Sequence, residues 1–240
     1  MLTYAKLKQN RRRFLALTGL TPKEFQLLLP AFEQAYQHRH PRTKTRQGQS
    51  RSRQAGGGRK SNLDRAEQKL LFALVYLKAY PLQTLLGELF ELSQSRANRW
   101  IHELLPVLQH ALKALGVRPE RNPRQFARHE RKQGEPLDLI IDGTDRRRQR
   151  PKNKAKQDEH YSGHKKTHTD KNLIIANRKT KRIGFLSRTY AGTVQDKKMA
   201  DTERIVYPRG ARVGKDTGFQ GYEPRGVETY QPKKSPRRAS

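Results

Sequence analysis

Three aspartates, Asp142, Asp196 and Asp216, stand in short motifs inside an otherwise strongly basic chain. Asp142 closes the apolar run Leu137-Asp138-Leu139-Ile140-Ile141, and Gly143-Thr144 follow it. Asp196 ends Gly192-Thr193-Val194-Gln195-Asp196. Asp216 follows a second strand-like run, Ala211-Arg212-Val213-Gly214-Lys215. A carboxylate at the end of a buried strand is costly unless it binds something. Hard oxygen ligands gathered in this way suit Mg²⁺ or Mn²⁺. In a protein with a formal net charge of +30, the anion such a site would act on is a phosphodiester. Taken singly, each aspartate also has a plainer reading as a turn or helix-cap residue. Asp196, just ahead of Lys197-Lys198-Met199-Ala200, is positioned to cap a helix.

A second set of side chains has the chemistry to contact DNA. Gln94, Ser95, Arg96, Asn98 and Arg99 crowd the start of one predicted helix, and such types hydrogen-bond base edges and phosphates. Arg59 and Lys60 end a Gly-rich basic run, and Arg146-Arg147-Arg148 follows the first strand. The plain reading of these charges is a solvated surface; the sharper one is contact with the DNA backbone. His160, His164 and His168 recur every fourth residue. Gly163 and the β-branched Thr167 and Thr169 argue against the helix that would align them for zinc, so phosphate contact from a basic loop is the expected role.

The elements that must position these residues change character along the chain. Residues 1–39 read as helical. Thr21-Pro22-Lys23-Glu24 is a helix start with a capping box, followed by Phe25, Leu28, Leu29, Phe32 and Tyr36 at helical spacing. An earlier run from Leu7 to Leu17 predicts a second short helix. Residues 40–61 form a basic, Gly-rich linker, either a plain tether or an arm along DNA; its single-signed charge favours the arm. Residues 62–116 predict three helices, from about Asp64 to Ala79, from Pro81 to about Phe90, and from Gln94 to about Leu115 with a kink or break at Pro106. The tight turn Glu91-Leu92-Ser93 between the last two makes a helix-turn-helix pattern, with Trp100 on the face that packs back. Residues 117–136 are a polar connector. In 137–240 the period shortens, and apolar runs at 137–141, 173–176, 183–186 and 211–214 read as strands, with a helix from Asp196 to about Arg204. The class is α+β: a helical module, then an α/β catalytic domain of RNase H-like order.

Composition narrows the partners. Fifty-two Lys and Arg face 22 Asp and Glu, a sequence-independent attraction to nucleic acid. No apolar run approaches the roughly 20 residues of a spanning helix, so no membrane partner is expected. Cysteine is absent, which excludes disulfides and thiolate zinc sites.

Taken together, the motifs resemble those of bacterial DDE transposases, in the branch related to eukaryotic Harbinger elements. Ile141-Asp142-Gly143-Thr144-Asp145-Arg146 looks like that family's first catalytic motif, and Tyr161-Ser162-Gly163-His164-Lys165-Lys166-Thr167-His168-Thr169 like the basic segment before its second strand. Gly192-Thr193-Val194-Gln195-Asp196 is similar to a Gly-x-x-His-Asp motif, with Gln195 in place of His. Lys215-Asp216-Thr217-Gly218-Phe219 is similar to an Asp-x-Gly-aromatic motif. The resemblance covers most of the chain from about Gly56 to Lys234. It implies Asp142, Asp196 and Asp216 as catalytic metal ligands, Mg²⁺ or Mn²⁺ as cofactor, the inverted repeats of element ends as double-stranded DNA partner, and a homo-oligomer on that DNA. Its place would be a bacterial cytoplasm, at the nucleoid.

The resemblance also implies a departure. The family's catalytic Glu lies on a helix beyond the Asp-x-Gly-aromatic motif, whereas this chain ends at Ser240, and its later acids, Glu223 and Glu228, sit in a Gly- and Pro-rich segment without helical pattern. The expectation is an incomplete RNase H-like domain lacking its fourth acidic ligand, with the strand near 211–214 left as an unpaired, apolar edge. Such a chain would be a decayed product or one of two frames joined by frameshifting. Three functions stay open: cutting and rejoining element ends, a DNA-binding product that represses transposition, and a basic RNA-associated protein without catalysis.

Overall fold

The computed structural model describes residues 1–41, 48–50, 52, 61–131 and 137–231. Most of the basic arm, Arg59 and Lys60 included, and the tail from Lys233 lie outside them. The chain divides into two units, Met1–Val117 and Arg118–Ser240.

The first unit is helical: α1 (Tyr4–Leu7), α2 (Arg11–Thr18), α3 (Pro22–Arg39), α4 (Ala66–Ala79), α5 (Gln83–Phe90) and α6 (Gln94–Ala114). The capping box at α3 forms in full. Thr21 Oγ1 accepts from the Glu24 N–H, and Glu24 returns a carboxylate oxygen to the Thr21 N–H at 2.7 Å. The Thr21 N–H and the Thr21 hydroxyl, both donating to it, hold the Glu24 carboxyl below its usual range. Phe14, Phe25 and Phe32 reach the same core as Leu70, Leu71 and Phe72 of α4 and Ile101, Leu104 and Leu108 of α6, all of them buried. At roughly 1.5–3 kcal/mol for each large side chain withdrawn from water, this shared core binds 1–39 to 62–116. Within it lies Lys69. Its ammonium sits 4.8 Å from the Tyr36 ring centre and 5.8 Å from that of Trp100 and donates to the Asp64 carbonyl; burial pulls its pKa down.

The turn between α5 and α6 depends on two residues. Glu91 adopts the left-handed conformation at φ 53°, closing α5. Gly87 lets the turn fold back, since a Cβ there would come within 2.5 Å of the Leu92 carbonyl oxygen. Ser93 then caps α6 by accepting from the Arg96 N–H.

The second unit contains α7 (Phe126–Arg131), β1 (Asp138–Arg147), α8 (Lys154–His160), β2 (Tyr161–Ser162), β3 (Thr167–Asn177), β4 (Ile183–Leu186), β5 (Tyr190–Ala191), α9 (Asp196–Glu203), β6 (Arg212–Gly214), a 3₁₀ turn (Thr217–Phe219) and β7 (Glu228–Tyr230). The central strand β1 pairs antiparallel with β3, from Leu139↔Asn177 to Arg147↔Thr169, and parallel with β6, Ile140 opposite Gly214. β4 pairs with β3 on its far side, and β7 continues parallel beyond β6. Antiparallel up to β1, then parallel, with α9 crossing between, this is an RNase H-like arrangement. Alternation along β1 sends Leu139 and Ile141 into the core with Leu173, Ile175, Phe185 and Val213, and sends Ile140 and Asp142 to the opposite, open face.

Several sequence expectations are corrected. The run from Leu7 to Leu17 is split by Asn10, whose side chain caps α2 by accepting from the Arg13 N–H. α6 runs unbroken through Pro106: Pro106 and His102, whose carbonyl loses its partner, both face solvent, while Leu104, Val107 and Leu108 hold the helix to the core. The strand at 211–214 is not a free edge, because β7 pairs with it, and Ala211 and Val213 are buried. Glu228 therefore lies in a strand rather than in irregular chain. One expectation holds instead: His160, His164 and His168 share no helix, since α8 ends at His160 and β3 has begun by His168.

Candidate functional site

The parallel register of β1 and β6 places Asp142 near Asp216. With Ile140 opposite Gly214, each follows two residues later, Asp216 just past the end of β6 but Asp142 in the middle of β1, which pairing with β3 continues to Arg147. Contrary to the sequence expectation, Asp142 therefore does not close its strand. Both line one cleft of about 620 Å³ on the open face of the sheet, with Ile140, Arg178 and Tyr230. Gly214 is needed there: a Cβ on it would meet the Tyr230 ring at 2.9 Å.

Asp196, the first residue of α9, does not line that cleft but comes against β1 at Gly143. Its carboxylate lies over Gly143, where a Cβ would come within 2.5 Å of Oδ1. It also borders Gly218. The point that a Gly218 Cβ would occupy is 3.1 Å from Asp196 Oδ2 and 3.1 Å from Asp216 Oδ1, so these two oxygens are at most twice that distance apart. The two small residues are thus the spaces into which the carboxylates fit. Asp196 does not cap its helix: Gln195 holds that position, without a capping hydrogen bond. Asp216 does cap, accepting from the Gly218 N–H at 2.9 Å. The plain reading therefore fits Asp216 and fails for Asp196.

The electrostatics follow from this gathering. Partial withdrawal from water pushes the Asp142 carboxyl above its ordinary range, a hydrogen bond from the Gly143 backbone pulls it back, and the charges of Asp216, Asp196 and Asp145 push it up again. Sequence reasoning missed two members of this group. Lys171 of β3 donates to Asp196 Oδ1 at 3.3 Å and to the Val194 carbonyl at 3.1 Å. Asp145 accepts from the Thr169 hydroxyl at 2.9 Å. Both lie along the β1–β3 pairing, Asp145 directly opposite Lys171, but that register is not legible from a polar stretch. Glu223 and Glu228 are engaged elsewhere, with Lys215 and Arg212.

These residues suit a divalent cation in their chemistry. Asp196 and Asp216 flank Gly218, and partial burial first, then the charges of Asp216 and Asp196, raise the Asp142 carboxyl in a way that a cation would relieve. Among the described residues, though, no three acidic or histidine side chains are gathered closely enough to hold a metal ion at once.

In the helical unit, Gln94, Ser95, Arg96 and Arg99 are exposed and Asn98 is half-buried. Gln94 and Asn98 face α5, where both bond to Gln83. Arg96 and Arg99 border a cleft of about 470 Å³ with Asn62, Glu91, Trp100 and Glu103. Of the three arginines at 146–148, Arg146 and Arg147 end β1 rather than following it and are exposed, whereas Arg148 is committed to Asp170 at 2.9 Å beside His160.

Two family models match. Residues 61–114 match the helix-turn-helix of DDE superfamily endonuclease, and residues 141–239 match DDE superfamily endonuclease itself. The chain belongs to the DDE superfamily endonucleases. The first match takes in α4 to α6, and the second begins one residue before Asp142 and runs through Asp196 and Asp216. No curated protein and no solved structure matches. DDE superfamily endonucleases typically use divalent metals, and the helix-turn-helix match points to DNA as a partner. Among the described residues no helix is long and apolar enough to cross a membrane.

Proposed function

We propose that this chain binds the inverted repeats at the ends of a mobile element, as a homo-oligomer on that DNA, and belongs to a system that cuts and rejoins those ends with a divalent metal. Asp142, Asp196 and Asp216 would hold the cation. When bound, it would polarise the scissile phosphate and lower the cost of activating the nucleophile. The chain's own residues do the positioning. The β1–β6 register fixes Asp142 beside Asp216, and Gly143 and Gly218 leave room for Asp196. Lys171 balances the charge of Asp196 while it waits. Arg146 and Arg147, exposed at the end of the same strand, would meet the DNA backbone, and so would Arg59 and Lys60, which lie outside the described residues. The observation that carries this reading is that Asp196 and Asp216 share the space at Gly218 while the charges of both act on the partly buried carboxyl of Asp142.

A second reading has an observation of its own. Lys171 already occupies Asp196, and no three ligands are gathered among the described residues. Both facts suit a chain that binds element ends and blocks transposition without cutting. One experiment separates the two. The purified chain is incubated with supercoiled plasmid carrying element ends, with Mg²⁺ or Mn²⁺, alongside Asp142→Ala. Nicking that is lost in the variant supports cleavage. Binding without nicking supports the second reading. Equal binding to structured RNA refutes both.

A further inference from the structure

The reading face of α6 is built around a residue that lies outside it. Gln83 is the first residue of α5, and its Oε1 accepts from Gln94 Nε2 at 2.6 Å and from Asn98 Nδ2 at 3.2 Å. Gln94 and Asn98 are one helical turn apart on α6, so a single carbonyl oxygen braces both. Each braced amide gives up one N–H and keeps the other together with its carbonyl oxygen. A donor beside an acceptor is what the adenine edge requires in the major groove, where N7 accepts and the N6 amino group donates. A free glutamine on a surface samples several rotamers and loses that freedom on binding. Gln94 is exposed, yet its amide is already held at its inner end. The leading end of the helix thus offers two reading chemistries: braced amides on the α5 side, and the guanidinium groups of Arg96 and Arg99 elsewhere.

We propose that Gln83 is a positioning residue for sequence recognition, holding the Gln94 amide so that it reads an adenine of an A·T pair in the major groove. The inference rests on the helix-turn-helix of this chain reading DNA sequence. The test is a selection of duplexes from a random-sequence library by the full chain, followed by affinity measurements on the selected motif. The wild-type motif should contain an adenine position whose preference disappears in Gln94→Ala. Gln83→Leu should weaken the preference at that position about tenfold. Affinity for non-specific duplex, its salt dependence and the melting temperature should all stay at the wild-type values. Gln83→Glu keeps an acceptor oxygen for both amides, so it should restore the adenine preference while lowering affinity for every duplex alike. A merely structural role would instead lower the melting temperature and all affinities together, with no change in the motif, and that result overturns the proposal. So does an unchanged adenine preference in Gln83→Leu. If the wild-type chain selects no motif at all, the recognition reading of α6 itself falls, and the inference falls with it.

Discussion

Gly143→Ala probes the carboxylate cluster most sharply, because its effect is set by one contact. The new Cβ would stand 2.5 Å from Asp196 Oδ1, 2.7 Å from its Cγ and 3.0 Å from Oδ2. An ordinary carbon–oxygen contact is roughly 3.3 Å, so the carboxylate must retreat by somewhat under 1 Å. That retreat loosens the Lys171 ion pair, now 3.3 Å, and drives Asp196 off its rotamer. Overpacking of this kind costs about 1–3 kcal/mol. Removing a glycine's freedom from the unfolded chain returns about 0.4–1 kcal/mol. The net loss is roughly 0–2.6 kcal/mol, a fall of up to about 12 °C in melting temperature for a unit of this size. Mn²⁺ affinity, measured by titration calorimetry, should drop by about tenfold or more as Asp196 leaves the site, a cost of roughly 1.4 kcal/mol. Gly163→Ala is the control: a Cβ there meets nothing within 4 Å, so stability and Mn²⁺ affinity should be kept. If Gly143→Ala matched the control in both measurements, Asp196 would not be seated against β1 and the proposed site would be wrong.

Further outcomes follow from the same geometry. Lys171→Met removes the cation that now satisfies Asp196, so Mn²⁺ should bind several-fold more tightly; weaker binding would mean that Lys171 supports the site rather than competing for it. Asp142→Asn tests the raised carboxyl. Since folding raises its pKa, the stability linked to this group is fully present below the ordinary value of 3.8 and is lost as pH rises through the folded value. Without metal, the variant should therefore melt above wild type at pH 7 and match it at the acid end; a pH-independent difference would remove the electrostatic account. Affinity for duplex DNA should fall by roughly 10³-fold or more between 50 and 200 mM salt if six or more phosphates are contacted, and a flat fluorescence-anisotropy series would count against the basic face. Arg96→Ala and Arg99→Ala should each weaken DNA binding, whereas Arg148→Ala, whose partner is Asp170, should lower the melting temperature more than the affinity.

The helical unit was more legible than the sheet, for a physical reason. The capping box at Thr21 and the N-cap at Ser93 are local chemistry, written within four residues, and both form as expected. The sheet is long-range. Apolar alternation stops at Ile141, so Asp142 to Arg147 carried no strand signal, and only pairing with β3 keeps them extended. β7 is three residues long, with no buried position, and exists because β6 lies beside it. α8 is missed for the opposite reason: Lys154 to His160 has no apolar face, because none of it is buried. In the site, the aspartates were visible because each closes an apolar run or a short glycine motif, although the strand of Asp142 goes on to Arg147. Lys171 and Asp145 were not, because what recruits them is a register between strands.

The register of Ile140 with Gly214 also sets an order of events during synthesis. The helical unit closes its core from residues that have all been synthesised by Val117. Asp142 has no neighbour in Asp216 until β6 has emerged and paired, and parallel pairing across such a stretch is intrinsically slow. At the usual 5–20 residues per second, the chain between Val117 and Gly214 takes roughly 5–20 s to make. For that interval each nascent molecule carries a finished DNA-reading module tethered to an unassembled carboxylate site. A molecule can therefore settle on DNA well before it acquires the groups proposed to hold a metal.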